Sequence, residues 1–264
     1  MKTKNLLAAS WLGCVVMLQS VTSVADNYDP VFTLSTGVDT TSGRYGGDVD
    51  IEDFYIPMTV SADYGRFAVR LTVPYLSVTA PEGTIIGPGG EALPGSGELS
   101  TESGLGDIIA SITFYDVISS RRLGLAMDLT GKVKFGTADE EKGLGTGESD
   151  YSVHADVYKF LDKFTLLSSV GYKFHGDPAG YDLNDVFMAS LGGTYKLTTD
   201  VNGGLFFDYR ESSISGNDSV QEVSVFISRR SSENWRLHIY ALAGFTDSSP
   251  DWGGGITIKR AMRR

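Results

Sequence analysis

Residues 122–136 read RLGLAMDLTGKVKFG. From Leu123 every second residue is large and apolar until one glycine interrupts: Leu123, Leu125, Met127, Leu129, Gly131, Val133 and Phe135. Between them stand Arg122, Gly124, Ala126, Asp128, Thr130, Lys132 and Lys134. Successive side chains of a strand point to opposite faces, so the pattern predicts one strand with an oily face and a charged face. It runs well beyond the ~5–6 residues of an ordinary strand. The oily face meets either the core of a soluble sandwich or lipid, with the charges then turned into the lumen of a barrel.

The rest of the 264-residue chain narrows the choice. Lys2 and Lys4 precede an apolar run at 6–21, and Ser23-Val24-Ala25 is a small-x-small site, so residues 1–25 read as a signal peptide cleaved after Ala25. An anchor helix is the bland alternative, but the run is short for a span. A lipoprotein acylated at Cys14 is another, with Trp11 standing where such signals usually carry leucine. Cys14 is the sole cysteine, so the mature chain, 26–264, holds no disulfide, Cys-ligated metal or Cys nucleophile. Loss of Lys2 and Lys4 takes the net charge from −11 to −13, a poor balance for binding nucleic acid. No later apolar run reaches ~18 residues, so a membrane form must be a closed barrel, which satisfies every backbone group in lipid.

Period-2 alternation recurs along the chain. It predicts an all-β protein with twelve strands, near 30–40, 52–63, 66–79, 105–116, 122–136, 150–161, 164–175, 186–197, 201–212, 220–230, 234–246 and 252–262. Short turns, such as Asp63-Tyr64-Gly65, Ile118-Ser119-Ser120-Arg121 and Asp162-Lys163, alternate with mostly longer connections, up to 80–104. Aromatics including Phe32, Phe54, Tyr75, Tyr115, Phe135, Tyr151, Phe164, Tyr195, Trp235 and Trp252 cluster near strand ends, as girdles at two lipid–water boundaries would. The expectation is a transmembrane antiparallel up-and-down barrel of about twelve strands, its short turns in the periplasm.

SGLGDIIASITFY (103–115), KFGTADEEKGLGTGESDYSVHADV (134–157) and LLSSVGYKF (166–174) carry a family resemblance. The segment resembles the outer-membrane β-barrel transporter family labelled for the meta-pathway of phenol degradation. Gly104-Leu105-Gly106-Asp107, Lys142-Gly143-Leu144-Gly145-Thr146-Gly147 and Gly171-Tyr172 match its pattern, while Phe135-Gly136-Thr137 departs from the usual Pro-Thr-Gly turn. The resemblance covers about seventy residues and its motifs are turns and strand starts. It implies a porin-like channel of a Gram-negative outer membrane that admits small, often hydrophobic or aromatic compounds. Barrels of this kind usually end on an aromatic residue read by the assembly machinery; this sequence closes GITIKRAMRR.

The predicted lumen face collects Arg70, Asp107, Asp128, Lys132, Lys134, His154, Asp156, Lys173, His175, Asp208, Arg210, Glu222, Arg236, His238 and Lys259. They form either a selectivity lining or a ladder of ion pairs that plugs the barrel, since twelve strands lie between filled and open sizes. His154 and Asp156, two apart on one face, would suit a hydrolase if a serine stood near; a cross-hairpin sum of 325 sets Gly171 opposite His154. The three histidines lack metal-ligand spacing. Loop 138–150 reads as a solvated acidic surface loop rather than a divalent-ion site. Loop 80–104, with Glu82, Glu91, Glu98 and Glu102 and the apolar pair Ile85-Ile86, folds inward as a plug or stays outside.

The leading expectation is a passive outer-membrane channel, not an enzyme, with no cofactor. A closed structural barrel and an outer-membrane lipid hydrolase are the alternatives. The expected partners are outer-membrane lipid and lipopolysaccharide, the barrel-assembly machinery and a small-molecule solute.

Overall fold

A computed structural model describes residues 4–10, 15–21, 30–45, 47–87, 91–93, 95 and 97–262. The expected cleavage site after Ala25, the acylation candidate Cys14 and the side chain of Glu91 lie outside the described residues. Lys4–Ser10 and Val15–Val21 pair with each other in a ladder separate from the main sheet.

Twelve antiparallel strands make the main sheet: β1 Val31–Gly43, β2 Ile51–Tyr64, β3 Phe67–Pro81, β4 Ile108–Ser120, β5 Leu125–Phe135, β6 Asp150–Leu161, β7 Phe164–Phe174, β8 Val186–Lys196, β9 Val201–Arg210, β10 Val220–Arg230, β11 Trp235–Gly244 and β12 Trp252–Met262. Each pairs with its neighbours in sequence, and β12 pairs with β1, so the sheet closes on itself and leaves no edge strand in the ring. The described residues include no helix.

Boundaries fall within a few residues of the expected ones except at the fourth strand. That strand begins earlier, as Leu99–Leu105, and is broken at Gly106–Asp107 before β4 resumes. Leu99–Leu105 pairs with the upper half of β3, while β4 pairs with the lower half. The connection expected at 80–104 is thus largely a β-ribbon, tipped by a small hairpin of Ile85–Gly87 with Glu91–Leu93. At the opposite end β4 runs to Ser120 and the turn is 121–124, closed by Gly124 at φ 60°. The turns at Gly65 and Asp162 also use positive φ, which ties two strands with few residues.

Outward positions are apolar from end to end: Leu34, Val60, Leu71, Ile112, Leu129, Val153, Val170, Leu191, Val225 and Ile256 are all exposed. Two rings of exposed aromatics bound this band. Phe32, Tyr64, Phe67, Phe164, Tyr195 and Trp235 lie at the short-turn end, and Phe54, Phe135, Tyr151, Tyr172, Phe187 and Trp252 at the other. Tyr115, expected in a girdle, points inward instead, and its hydroxyl donates to Asp63 at 3.0 Å. Tyr115 follows Phe114, which is exposed, so strand alternation sets it on the inward face.

Candidate functional site

The inward face bears the predicted polar set, but the structure divides that set into three groups with different surroundings.

At the long-loop end, an ion network holds the loop 136–149. Lys134 lies 3.2 Å from Asp107 and 3.3 Å from Asp150, and Lys173 lies 3.3 Å from the same Asp150 oxygen. Lys134 also donates to Thr146 Oγ1 at 2.9 Å. Asp107 accepts the backbone N–H groups of Thr137 and Ala138 at 2.9 and 2.8 Å. The loop is thereby drawn inward, and Leu144, only 1 % exposed, packs with Tyr45, Ile51, Val78 and Ala80. This corrects one expectation. Loop 138–150 is not a solvated surface loop over its Gly143–Thr146 part, which is buried. For 80–104, where two arrangements were open, Ala80 packs in the same cluster as Leu144 and Thr84 is buried, while Leu99–Leu105 extends the sheet beside β3. The glycines explain how the loop 136–149 fits: Gly143 and Gly147 take positive φ, and a methyl at Gly143 would strike the Thr84 carbonyl. His175 stands at this rim, one residue past β7, with Asn184 and Asp185 as partners.

The wall from β6 to β11 is packed. Tyr158, Leu167, Phe206, Phe226, Tyr240 and Leu242 form one buried cluster. Rings step along it: Phe206 to Phe226 at 6.1 Å, Phe226 to His238 at 4.9 Å, and His238 to Tyr240 at 6.1 Å between centroids. Register gives a sequence reason for the fit. Phe206 faces Gly192, Phe226 faces Gly204, Tyr240 faces Gly255 and His154 faces Gly171. A methyl at any of these four glycines would overlap the opposing ring, so glycine lets each ring lie flat on the neighbouring strand. His154 Nε2 sits 3.1 Å from Ser152 Oγ of its own strand, and Asp156 is paired in register with Ser169. Asp128 accepts from the Asp116 N–H at 2.8 Å. Asp208 stands opposite Glu222, with Arg210 two residues along the same face. His238 is enclosed between Phe226 and Tyr240.

The remaining wall, β1 to β5 with β12, is partly open to solvent. Its lining is hydroxyls and cations. Thr59 and Thr72 bond across β2 and β3 at 2.8 Å, and Thr113 and Thr130 across β4 and β5 at 2.9 Å. Arg70, Lys132 and Lys259 project from this wall, with Arg236 at its margin directly opposite Lys259. Sequence parity placed Arg70, Lys132, Lys259 and Arg236 inside. It did not single out Asp150, Thr146 or Leu144, although Asp150 shares the inward parity of Ser152 and His154. Among the described residues no three His, Cys, Asp or Glu converge as a metal site.

No family model matches the chain, and no curated protein matches it in sequence. Solved structures do match. An outer-membrane channel from Pseudomonas putida F1 aligns over 92 % of this chain and 100 % of its own, with TM-score 0.70 and 11 % identity. The fold is that of an outer-membrane β-barrel. The NanC porin aligns over 88 % of this chain and 100 % of its own, at TM-score 0.55 and 8 % identity. The KdgM porin aligns over 88 % and 99 %, at TM-score 0.52 and 8 % identity. These neighbours agree with the barrel class of the resemblance carried by Gly104–Asp107 and Lys142–Gly147; its phenol-pathway label is a finer matter.

Proposed function

We propose that this chain is a passive channel for small molecules in a bacterial outer membrane, delivered there by removal of residues 1–25. The observation that carries the reading is the divided lumen: one wall is packed shut, while the wall of β1 to β5 and β12 keeps hydroxyls and cations within reach of water. A barrel evolved only as a plug has no use for half-buried cations, which cost free energy unless hydrated or paired. The apolar outer band between two aromatic rings supports residence in lipid. No catalytic step is assigned: a serine, Ser152, does stand beside His154, but both side chains are buried in the packed wall. The phenol-pathway resemblance points to hydrophobic or aromatic solutes; the hydroxyl and cationic lining favours members of that class that carry a polar or ionised group.

A closed structural barrel is the second reading, favoured by the buried cap around Leu144. The refolded protein, residues 26–264, in a planar bilayer separates the two. Discrete conductance steps are expected. Silence from protein shown to be inserted would favour the closed barrel.

A further inference from the structure

Direct register pairs place Lys173 opposite Ser152, Ser152 opposite Lys132, Lys132 opposite Ser111, and Ser111 opposite Arg70. Five neighbouring strands thus carry an unbroken alternation of cation and serine. From the other side Arg236 faces Lys259, and Lys259 faces Ser35. The row is inclined to the barrel axis because strands tilt in any closed barrel. Lys173 stands one residue from the long-loop end of β7, whereas Arg70 stands three residues from the short-turn start of β3 and Lys259 three from the end of β12. The cations therefore descend from one mouth toward the other. Strands lie about 4.8 Å apart, so cations on alternate strands are separated by about 10 Å at the backbone, with a small serine leaving space between.

Each member lies within electrostatic reach of the next: Lys132 of Lys173 and Arg70, and Lys259 of Arg70 and Arg236. Like charges repel, and such a row persists only where acids, water or a visiting anion compensate it; Asp150 does so for Lys173 at the long-loop end. Two inner acids lie near the row, Asp156 within electrostatic reach of Lys132 and Asp63 within reach of Arg70 and Lys259, and the others are engaged elsewhere. Asp107 and Asp150 belong to the cap network, Asp53 receives the Thr41 hydroxyl, and Asp128 is buried; Asp63 also receives the Tyr115 hydroxyl. Arg70, Lys132 and Lys259 make no hydrogen bond or ion pair with any described residue. In a chain of net charge −11, the accessible inner charge is positive.

We propose that the inclined row Lys173, Lys132, Arg70, Lys259 and Arg236 is a relay of binding positions for small organic anions, carboxylates above all, passed from cation to cation across the barrel. The inference rests on the channel reading and names its solute class. Neutral solutes gain nothing from the row, and cations are repelled by it.

The test pairs two readouts on the folded barrel, each for wild type and for Arg70→Gln with Lys132→Gln. Heat-modifiable mobility on gels checks folding, which neutralising two cations without ion-pair partners leaves intact. Lys163→Gln, in the exposed turn between β6 and β7, is the control. In a KCl gradient the wild type and the control are expected to prefer chloride. The double variant is expected to lose that preference by about fivefold or more, the factor a unit charge at about 4 Å is worth in water. Calorimetric titration of citrate into the detergent-solubilised barrel is expected to show binding that the double variant loses. Conductance without anion preference, together with no citrate binding, would overturn the relay and leave the channel standing. A silent bilayer with citrate binding that the variant abolishes would overturn the channel and keep the anion row.

Discussion

Asp107 shows how much one side chain can hold. It stands where the fourth strand breaks, and it gathers two loop N–H groups and the Lys134 ammonium. Asp107→Ala removes the acceptor for both amides, and a buried donor left unsatisfied costs about 1–3 kcal/mol. Lys134 keeps Asp150, so the barrel itself survives. The expected result is release of the loop 136–149 and faster tryptic cutting after Lys142, with the strands still protected. Equal cutting of wild type and variant would show that the loop is held by its apolar contacts alone. A complementary outcome is expected for Leu144→Ala, since large-to-small changes in a packed site cost about 2–5 kcal/mol. That variant should raise conductance in the bilayer if Leu144 helps to narrow the mouth.

At the scale of elements, the hairpins are closed by chemistry that belongs to each turn. In the turn from β8 to β9, Asp200 sits 2.8 Å from Arg230 at the neighbouring hairpin end. The Arg230 hydrogen bond holds the Asp200 carboxyl below its ordinary value of 3.8. A depressed carboxyl contributes stability that is present above the unfolded value and is lost as pH falls through the folded one. Asp200→Asn should therefore lower the denaturation midpoint slightly at neutral pH, and the gap should close as pH drops below 3.8. The effect is small because both groups face water. A gap that persists in strong acid would show that the turn depends on something other than this charge.

For the whole molecule, the decisive question is what the apolar belt touches. Leu191 lies midway along β8, points outward and is 62 % exposed. In a bilayer, arginine at mid-depth costs about 2–4 kcal/mol, whereas the same change on a water-facing barrel is nearly neutral. Leu191→Arg should thus depress folding stability in lipid vesicles by that amount, measured by chemical denaturation. Little change would mean that the belt is not buried in lipid at that height.

The sequence by itself determined the strands, their inward and outward faces and the alternation of short and long connections, because side-chain period in a strand is a local property. Thus 122–136 reads correctly as oily outside and charged inside, apart from its first residues, which form the turn. Parity even anticipated Gly171 opposite His154, since a two-residue turn fixes register. Three things needed the closed ring. The inward fold of Gly143–Thr146 depends on Asp107 and Asp150, which lie far away in sequence or on another strand. The seats of Phe206, Phe226 and Tyr240 depend on glycines of neighbouring strands. The inclined row of cations exists only because shear and tilt bring positions from separate hairpins into line, and no local pattern encodes the stagger of a whole barrel.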